Sequence, residues 1–123
     1  MDEIAKLNET LIELYFALRA RPDVKNVTRG FDIRRLQSGS LIEAFIEVET
    51  TNGLAFCWWM DIRIEDKRWM IEHSIHKNDE GGQHLLQRFA DRSSENLDQF
   101  QTQLRLAAKE LAESAITFEF SEL

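Results

Sequence analysis

Residues 41–75 constrain the fold more than any other part of this chain, because apolar and polar side chains alternate along them. The alternation runs through residues 41–49 and 54–65, and it returns in residues 68–76. A period of two is typical of a strand with one buried face, and these segments are rich in β-branched and aromatic residues. The stretch therefore predicts three consecutive antiparallel strands.

The turn between the first two strands decides which side chains share a face. A two-residue loop ending at Gly53 would pair Val48 with Cys57 and mix the apolar face of one strand with the polar face of the next. A three-residue loop, with Gly53 in the left-handed bulge position, pairs Ile46 with Trp58 and keeps the apolar faces together. We therefore predict the three-residue loop.

The rest of the sheet follows from the next segments. A two-residue turn at residues 66–67 pairs Ile62 with Ile71, which agrees with the apolar faces. A polar loop is expected at residues 77–82, and a fifth, shorter strand at residues 84–90.

One further strand is expected before the central three, over residues 31–36, with residues 23–30 as a connector. A turn at residues 38–39 would pair Ile33 with Ala44 on the apolar side. The central meander then has four strands.

Two amphipathic helices flank the sheet. Residues 2–20 carry apolar side chains at three- and four-residue spacing, and Pro22 ends that helix. Ser93 or Ser94 is a plausible N-cap for a second helix that runs to about Ala115. The expected fold is one α+β domain: an antiparallel four- to five-stranded meander sheet with an N-terminal and a C-terminal helix packed on one face.

The polar face of this sheet carries an unusual set of side chains. The predicted registers place six residues there as a partner-binding surface: Arg34, Glu43, Phe45, Trp59, Asp61 and Glu72. The arginine and the three carboxylates form one row across four strands, and the two aromatic rings lie beside it. Directly opposed like charges destabilise a sheet, so a cation or a basic partner should compensate. Aromatic side chains beside unbalanced charge are typical of contact surfaces.

Three other interpretations of this face stay open. Antiparallel sheets commonly leave one face solvated. The C-terminal tail could cover Trp59 through Phe118 or Phe120, either as a short edge strand or as an irregular segment. The same face could also join two copies of the chain as a homodimer.

Composition narrows the class of partner. The 123 residues are enough for one domain with its own core, and the formal net charge is −7. Such a charge argues against binding to nucleic acid or to an anionic membrane, and it favours a basic protein partner. With one cysteine, no run of about 20 apolar residues and an acidic start, the chain is expected to be cytoplasmic.

No catalytic or metal-binding signature stands out. His73 falls on the apolar face and is expected to be a core residue. Cys57 has no obvious base paired with it and is expected to be a packing residue. His76 and His84 flank two carboxylates, but their spacing matches no zinc motif. We therefore expect no enzyme, no cofactor and no metal. The alternative is a small-molecule-binding or enzymatic domain with a pocket between sheet and helices near His73.

The size, the acidity and the plan of two helices and one sheet are similar to those of small cytoplasmic binding proteins, including bacterial immunity proteins, antitoxins and secretion chaperones. This resemblance rests on general features and carries no motif. It implies a non-catalytic module that binds a basic partner.

Overall fold

A five-stranded antiparallel meander forms the centre of the fold. The computed structural model describes residues 2–35, 37, 39–65 and 68–120, with side chains from residue 8 onward except that of residue 10. The elements in chain order are α1 (Asp2–Arg19), β1 (Val24–Arg35), β2 (Gly39–Thr50), β3 (Ala55–Glu65), β4 (Arg68–Asp79), β5 (Gly82–Arg88), β6 (Arg92–Ser94) and α2 (Leu97–Thr117). Strands β1 to β5 are neighbours in sequence order, and β6 also pairs with β4. The predicted α+β class, with both helices on one face of an antiparallel sheet, is confirmed.

Strands β2, β3 and β4 pair as their apolar patterns predict. Ile46 lies opposite Trp58, and Ile62 lies opposite Ile71. Gly53 has a φ of 86°, which is the left-handed conformation that the three-residue loop requires. The predicted turns at residues 66–67 and at Ser38 lie outside the described residues. The flanking registers nevertheless confirm the face assignment of the three strands.

Strand β1 corrects the prediction in both length and register. It begins at Val24, so most of residues 23–30 is strand and not connector. Ile33 pairs with Ile42 instead of Ala44, because four residues and not two separate the last paired positions of β1 and β2. As an edge strand with many charged side chains, β1 lacks the apolar alternation that marks its neighbours.

The connections around β5 also differ from the prediction. Strand β4 continues to Asp79 and β5 begins at Gly82, so the predicted loop at residues 77–82 is a tight turn between paired strands. The fifth strand exists, but it ends at Arg88, and Phe89 follows it with a backbone N–H donated to the carbonyl of His73.

The start of α2 is not the predicted one. Residues 92–94 form the short strand β6, so neither Ser93 nor Ser94 caps the helix. Asn96 is the N-cap, and its side chain accepts a hydrogen bond from the backbone N–H of Gln99. A three-residue polar strand has no periodicity to reveal it, which is why it resembles a capping segment.

The core lies between the sheet and the two helices. Trp58 is buried there and donates its indole N–H to the hydroxyl of Ser114 on α2, at 3.1 Å. Beyond α2, Phe118 packs edge-on against Trp58 with 5.2 Å between ring centroids, and Phe120 lies 4.9 Å from Phe56. The tail therefore covers the helix side of the sheet. It forms no strand over residues 118–120 and does not cover Trp59.

Within the described residues, neither helix combines the length and the apolar composition needed to cross a bilayer.

Candidate partner-binding face

A row of four carboxylates crosses the outer face of the sheet, on the side away from the helices. The row consists of directly opposed residues on β1 to β4: Asp32, Glu43, Asp61 and Glu72. The prediction had Arg34 at the β1 end of this row, whereas the corrected register puts Asp32 there. Neighbouring strands lie about 4.8 Å apart, so like charges at directly opposed positions repel one another. We call these four residues the acidic row.

Arg34 compensates one end of the acidic row from the next position along β1. Its Nε lies 3.2 Å from Oδ2 of Asp32, and its Nη2 lies 3.4 Å from Oε1 of Glu43. The Glu43 side chain is only 12 % exposed, so this ion pair lies partly out of water. No comparable ion pair to Asp61 or Glu72 occurs among the described side chains, and the β3–β4 half of the row keeps its excess of negative charge.

An aromatic pair adjoins the acidic row. Phe45 and Trp59 are cross-strand neighbours whose rings stack with centroids 5.5 Å apart and planes 16° from parallel. Gly30 lies opposite Phe45 on β1, and a Cβ at that position would lie 2.5 Å from the Phe45 ring. Glycine therefore makes room for the ring to lie flat on the sheet.

The electrostatics of Asp61 reflect this setting. Burial raises the pKa of its carboxyl group above the usual range, and the nearby Glu43 and Glu72 raise it further. The hydrogen bond from Trp59 and the positive charge of Arg63 act in the opposite direction, but they do not restore the usual pKa. The ionised form of Asp61 is thus held at a free-energy cost that a nearby cation would reduce.

The outer face is more buried than a simple solvated face. Leu41 and Cys57 both point to this side and are buried, while Phe45 and Trp59 are half-buried. Burial, together with the charge of Glu47, raises the pKa of the Cys57 thiol to about 12. The thiol therefore stays protonated at neutral pH, which agrees with its predicted role as a packing residue.

A cleft of about 360 Å³ opens on the same face beside the acidic row. Its lining comes from β3, β4, β6 and the segment before β6: Arg63, Glu65, Arg68, Met70, Asp91 and Ser93. Arg63 and Met70 occupy the positions next to the acidic row on their strands. The cleft was not predicted, because two of its residues belong to the segment around β6 that carries no periodic pattern.

His73 is buried on the helix side and is held by its neighbours. Its Nε2 donates to Oε1 of Glu110 at 3.0 Å, the same oxygen that accepts from Nη2 of Arg92 at 2.8 Å. The ring of Phe89 stacks on the imidazole at 4.8 Å, with planes 7° apart. Burial lowers the pKa of His73, and Glu110 only partly offsets that effect. These contacts make His73 a hydrogen-bonded core residue, as the sequence indicates.

The other histidines do not assemble a metal site. His76 and His84 belong to two adjacent residue pairs of the β4–β5 ladder. Their side chains therefore lie on opposite faces of the sheet. His84 instead bonds to Oδ1 of Asp79 at 2.9 Å on the surface. Nowhere in the described residues do three side chains of the metal-ligating types come together.

An open groove of about 620 Å³ lies on the helix side, between β5 and α2. Two aromatic rings and several polar side chains line it: Gln87, Phe89, Glu110, Glu113, Ser114, Thr117, Phe118 and Glu119. Phe89 stacks on His73, and Glu110 forms a hydrogen bond with His73. The groove therefore adjoins the position of the alternative pocket predicted near His73, although His73 itself does not line the groove.

Comparisons with known proteins give no relative from which a function could be transferred. No family model matches the chain, and neither a curated protein nor a solved structure does. The functional argument therefore rests on the acidic row, the aromatic pair and the cleft beside them.

Proposed function

We propose that this protein is a non-catalytic binding module whose outer sheet face docks a basic partner protein. The observation that carries the proposal is the acidic row: four opposed carboxylates, of which Asp32 and Glu43 form ion pairs with Arg34 while Asp61 and Glu72 form none among the described side chains. Repulsion of this kind destabilises the isolated molecule, so its presence is explained by a partner that supplies the missing positive charge.

The aromatic pair supports docking by giving the face an apolar anchor. Trp59 is half-buried and stacked on Phe45, so little side-chain freedom would be lost when a partner covers it. Tryptophan surrounded by polar side chains is a frequent centre of binding energy in protein interfaces. The net charge of −7 would also steer a basic partner toward the protein.

The most concrete form of this function is an immunity-, antitoxin- or chaperone-like protein that masks a basic surface. Support comes from the small size and the acidity of the chain.

A direct test uses a fluorescently labelled arginine-rich peptide and measures its anisotropy on titration with the protein. We expect binding at about 20 mM salt that weakens strongly toward about 300 mM, because exposed charge pairs are screened over that range. The double variant Glu43→Gln/Glu72→Gln should lose most of the affinity. Its matched control is Glu80→Gln/Glu95→Gln, which removes the same charge from exposed positions outside the outer face. If both variants bind equally, the affinity reflects net charge alone and the proposal fails.

The aromatic contribution is tested by Trp59→Ala in the same titration. The variant should weaken binding at high salt as well as at low salt, because apolar contact is not screened by ions. Sedimentation of the unliganded protein at several concentrations examines the homodimer alternative. If the protein is a dimer and Trp59→Ala dissociates it, the partner at the outer face is a second copy of the chain and not a basic protein.

A second candidate function is suggested by the groove between β5 and α2. Carboxylates of Glu113 and Glu119 beside two aromatic rings suit a small organic cation. Titration with spermidine, followed by calorimetry, examines this alternative, and Glu113→Gln/Glu119→Gln should abolish any heat of binding at the groove. Absence of heat from the wild-type protein removes the candidate.

A further inference from the structure

Strand β1 offers a long backbone edge that the rest of the described chain leaves unpaired. It has 12 residues and lies at the end of the strand order, with β2 as its neighbour. The opposite edge of the sheet is different, because β5 has only 7 residues and carries a bulge. An unpaired edge is a template for pairing with another extended segment.

The helix-side positions near the end of β1 form an ordered stripe. The stripe consists, in order, of Arg29, Phe31, Ile33 and Arg35. Each of them lies opposite a buried or half-buried residue of β2. Phe31 is 41 % exposed and Ile33 is 48 % exposed, so two large apolar side chains reach solvent between two arginines. Alternate residues of a strand lie about 6.6 Å apart, which gives the stripe a regular spacing of cation, apolar, apolar, cation.

Charge repulsion opposes pairing of this edge with a second copy of the chain in the register that matches the apolar side chains. Antiparallel self-pairing that sets Phe31 against Ile33 of the other copy would also set Arg29 against Arg35. The same register would set Asp32 against its own equivalent on the outer side. Like charges directly opposed across two strands are destabilising. The register that best matches the apolar side chains is therefore the one that repulsion opposes.

We propose that the β1 edge binds an extended acidic segment of another protein as an additional antiparallel strand. Its alternate side chains would run acidic, apolar, apolar, acidic, so that carboxylates face Arg29 and Arg35 and apolar groups cover Phe31 and Ile33. Main-chain hydrogen bonds provide the affinity in this mode of recognition, and the alternate side chains provide the specificity. The stripe lies on the helix side of β1, whereas Asp32, the β1 member of the acidic row, lies on the outer side of the same strand. The stripe takes a partner of the opposite charge.

The same charges also bear on how an open edge avoids pairing with itself. Charged side chains on an edge strand prevent indiscriminate pairing between copies. Arg29 and Arg35 thus have two effects: they disfavour self-association and they select an acidic strand.

The test uses a labelled peptide of sequence Glu-Thr-Val-Thr-Val-Thr-Glu and two relatives of equal length. One relative replaces both glutamates with lysine, and the other exchanges the positions of glutamate and valine. We expect the first peptide alone to bind in an anisotropy titration, and we expect the amides of β1 to gain protection from hydrogen exchange when it is bound. Equal binding of the glutamate and lysine peptides, or protection elsewhere than β1, overturns the proposal.

Substitutions in the stripe test the same proposal from the side of the protein. Arg29→Glu/Arg35→Glu should weaken the glutamate peptide roughly tenfold and should create binding of the lysine peptide, since cross-strand charge pairs change sign. Arg105→Glu/Lys109→Glu, at exposed positions on α2, is the control of equal charge and should change neither. Because Arg29 also lies 5.1 Å from the Tyr15 ring, Ile33→Asp provides an independent variant that should likewise lose the glutamate peptide. Retained binding in both variants contradicts the proposal.

Discussion

Trp59 and Asp61 point to the same side of β3, and the indole N–H of Trp59 donates to Oδ1 of Asp61 at 2.6 Å. This bond joins the aromatic pair to the acidic row. It fixes the indole against Phe45, and it leaves the carboxylate with one acceptor site fewer to satisfy when water is displaced. A docking partner would thus meet a preorganised ring and a carboxyl group that is already partly withdrawn from water.

Replacing Asp61 by asparagine should stabilise the protein at neutral pH. The amide oxygen can still accept from Trp59, while the repulsion from Glu43 and Glu72 disappears. We expect a gain of roughly 0.5–1 kcal/mol in the free energy of unfolding, the size of a cross-strand charge effect. Urea denaturation of Asp61→Asn and of the wild type at pH 7 measures it.

The gain should depend on pH in a defined direction. The pKa of Asp61 in the folded protein is raised above its ordinary value of 3.8, so the native state holds the proton more tightly than the unfolded state. The wild type therefore recovers stability as pH falls through the folded pKa, and the advantage of Asp61→Asn should vanish near pH 4. Glu95→Gln, at an exposed position away from the acidic row, is the control for the loss of one negative charge. An Asp61→Asn protein that is less stable than the wild type at pH 7 would contradict the inferred repulsion.

The adjacent tryptophans should respond very differently to truncation. Trp58 is 1 % exposed and bonds to Ser114, so Trp58→Ala should cost about 3–5 kcal/mol, as is usual for a large buried side chain. Trp59 is half-buried on the outer face, and Trp59→Ala should cost about 1 kcal/mol, mainly the stacking on Phe45. Denaturation followed by circular dichroism compares them. Similar costs for the two variants would mean that Trp59 is a core residue and not a binding anchor.

The central registers could be predicted because the apolar alternation is strong in β2, β3 and β4. Between β2 and β3 it decided for the three-residue loop and so for Ile46 opposite Trp58, and between β3 and β4 it agreed with the two-residue turn that sets Ile62 opposite Ile71. Those registers also place Glu43, Asp61 and Glu72 together on the outer face, so most of the candidate site follows from the sequence.

The edge strand could not be aligned in the same way. Along β1 most side chains are exposed, and the connection to β2 could be two or four residues long without burying a different set of core residues. Sequence reasoning chose the shorter turn, put Arg34 in the acidic row and missed Asp32. The alternation of Phe31, Asp32 and Ile33 shows that Asp32 lies on the outer face, but nothing in the pattern fixes its partner on β2.

Arg21 joins the end of α1 to the C-terminal tail, and lysine should not replace it. Its guanidinium donates to both carboxylate oxygens of Asp23, at 3.0 and 2.8 Å, and to the Ala115 carbonyl at 2.9 Å. It also lies 4.2 Å from the centroid of the Phe120 ring. A lysine lacks the planar fork needed for these contacts, so Arg21→Lys should cost about 1–2 kcal/mol. Urea denaturation measures this cost, with Arg105→Lys on α2 as the control. Equal urea midpoints for the wild type and Arg21→Lys would show that the planar guanidinium is not required.

His73 should make the stability of the protein fall in mildly acidic solution. Burial lowers the pKa of His73 below the ordinary histidine value of 6.5, so the unfolded state binds the proton more readily than the native state. Stability is lost as pH falls from about 6.5 toward the folded pKa, with a slope of up to about 1.4 kcal/mol per pH unit for one proton. His73→Gln keeps a side-chain N–H for Glu110 and does not titrate, so its unfolding free energy should fall less between pH 7 and pH 5. Identical slopes in the wild type and His73→Gln would contradict the lowered pKa of His73 in the folded protein.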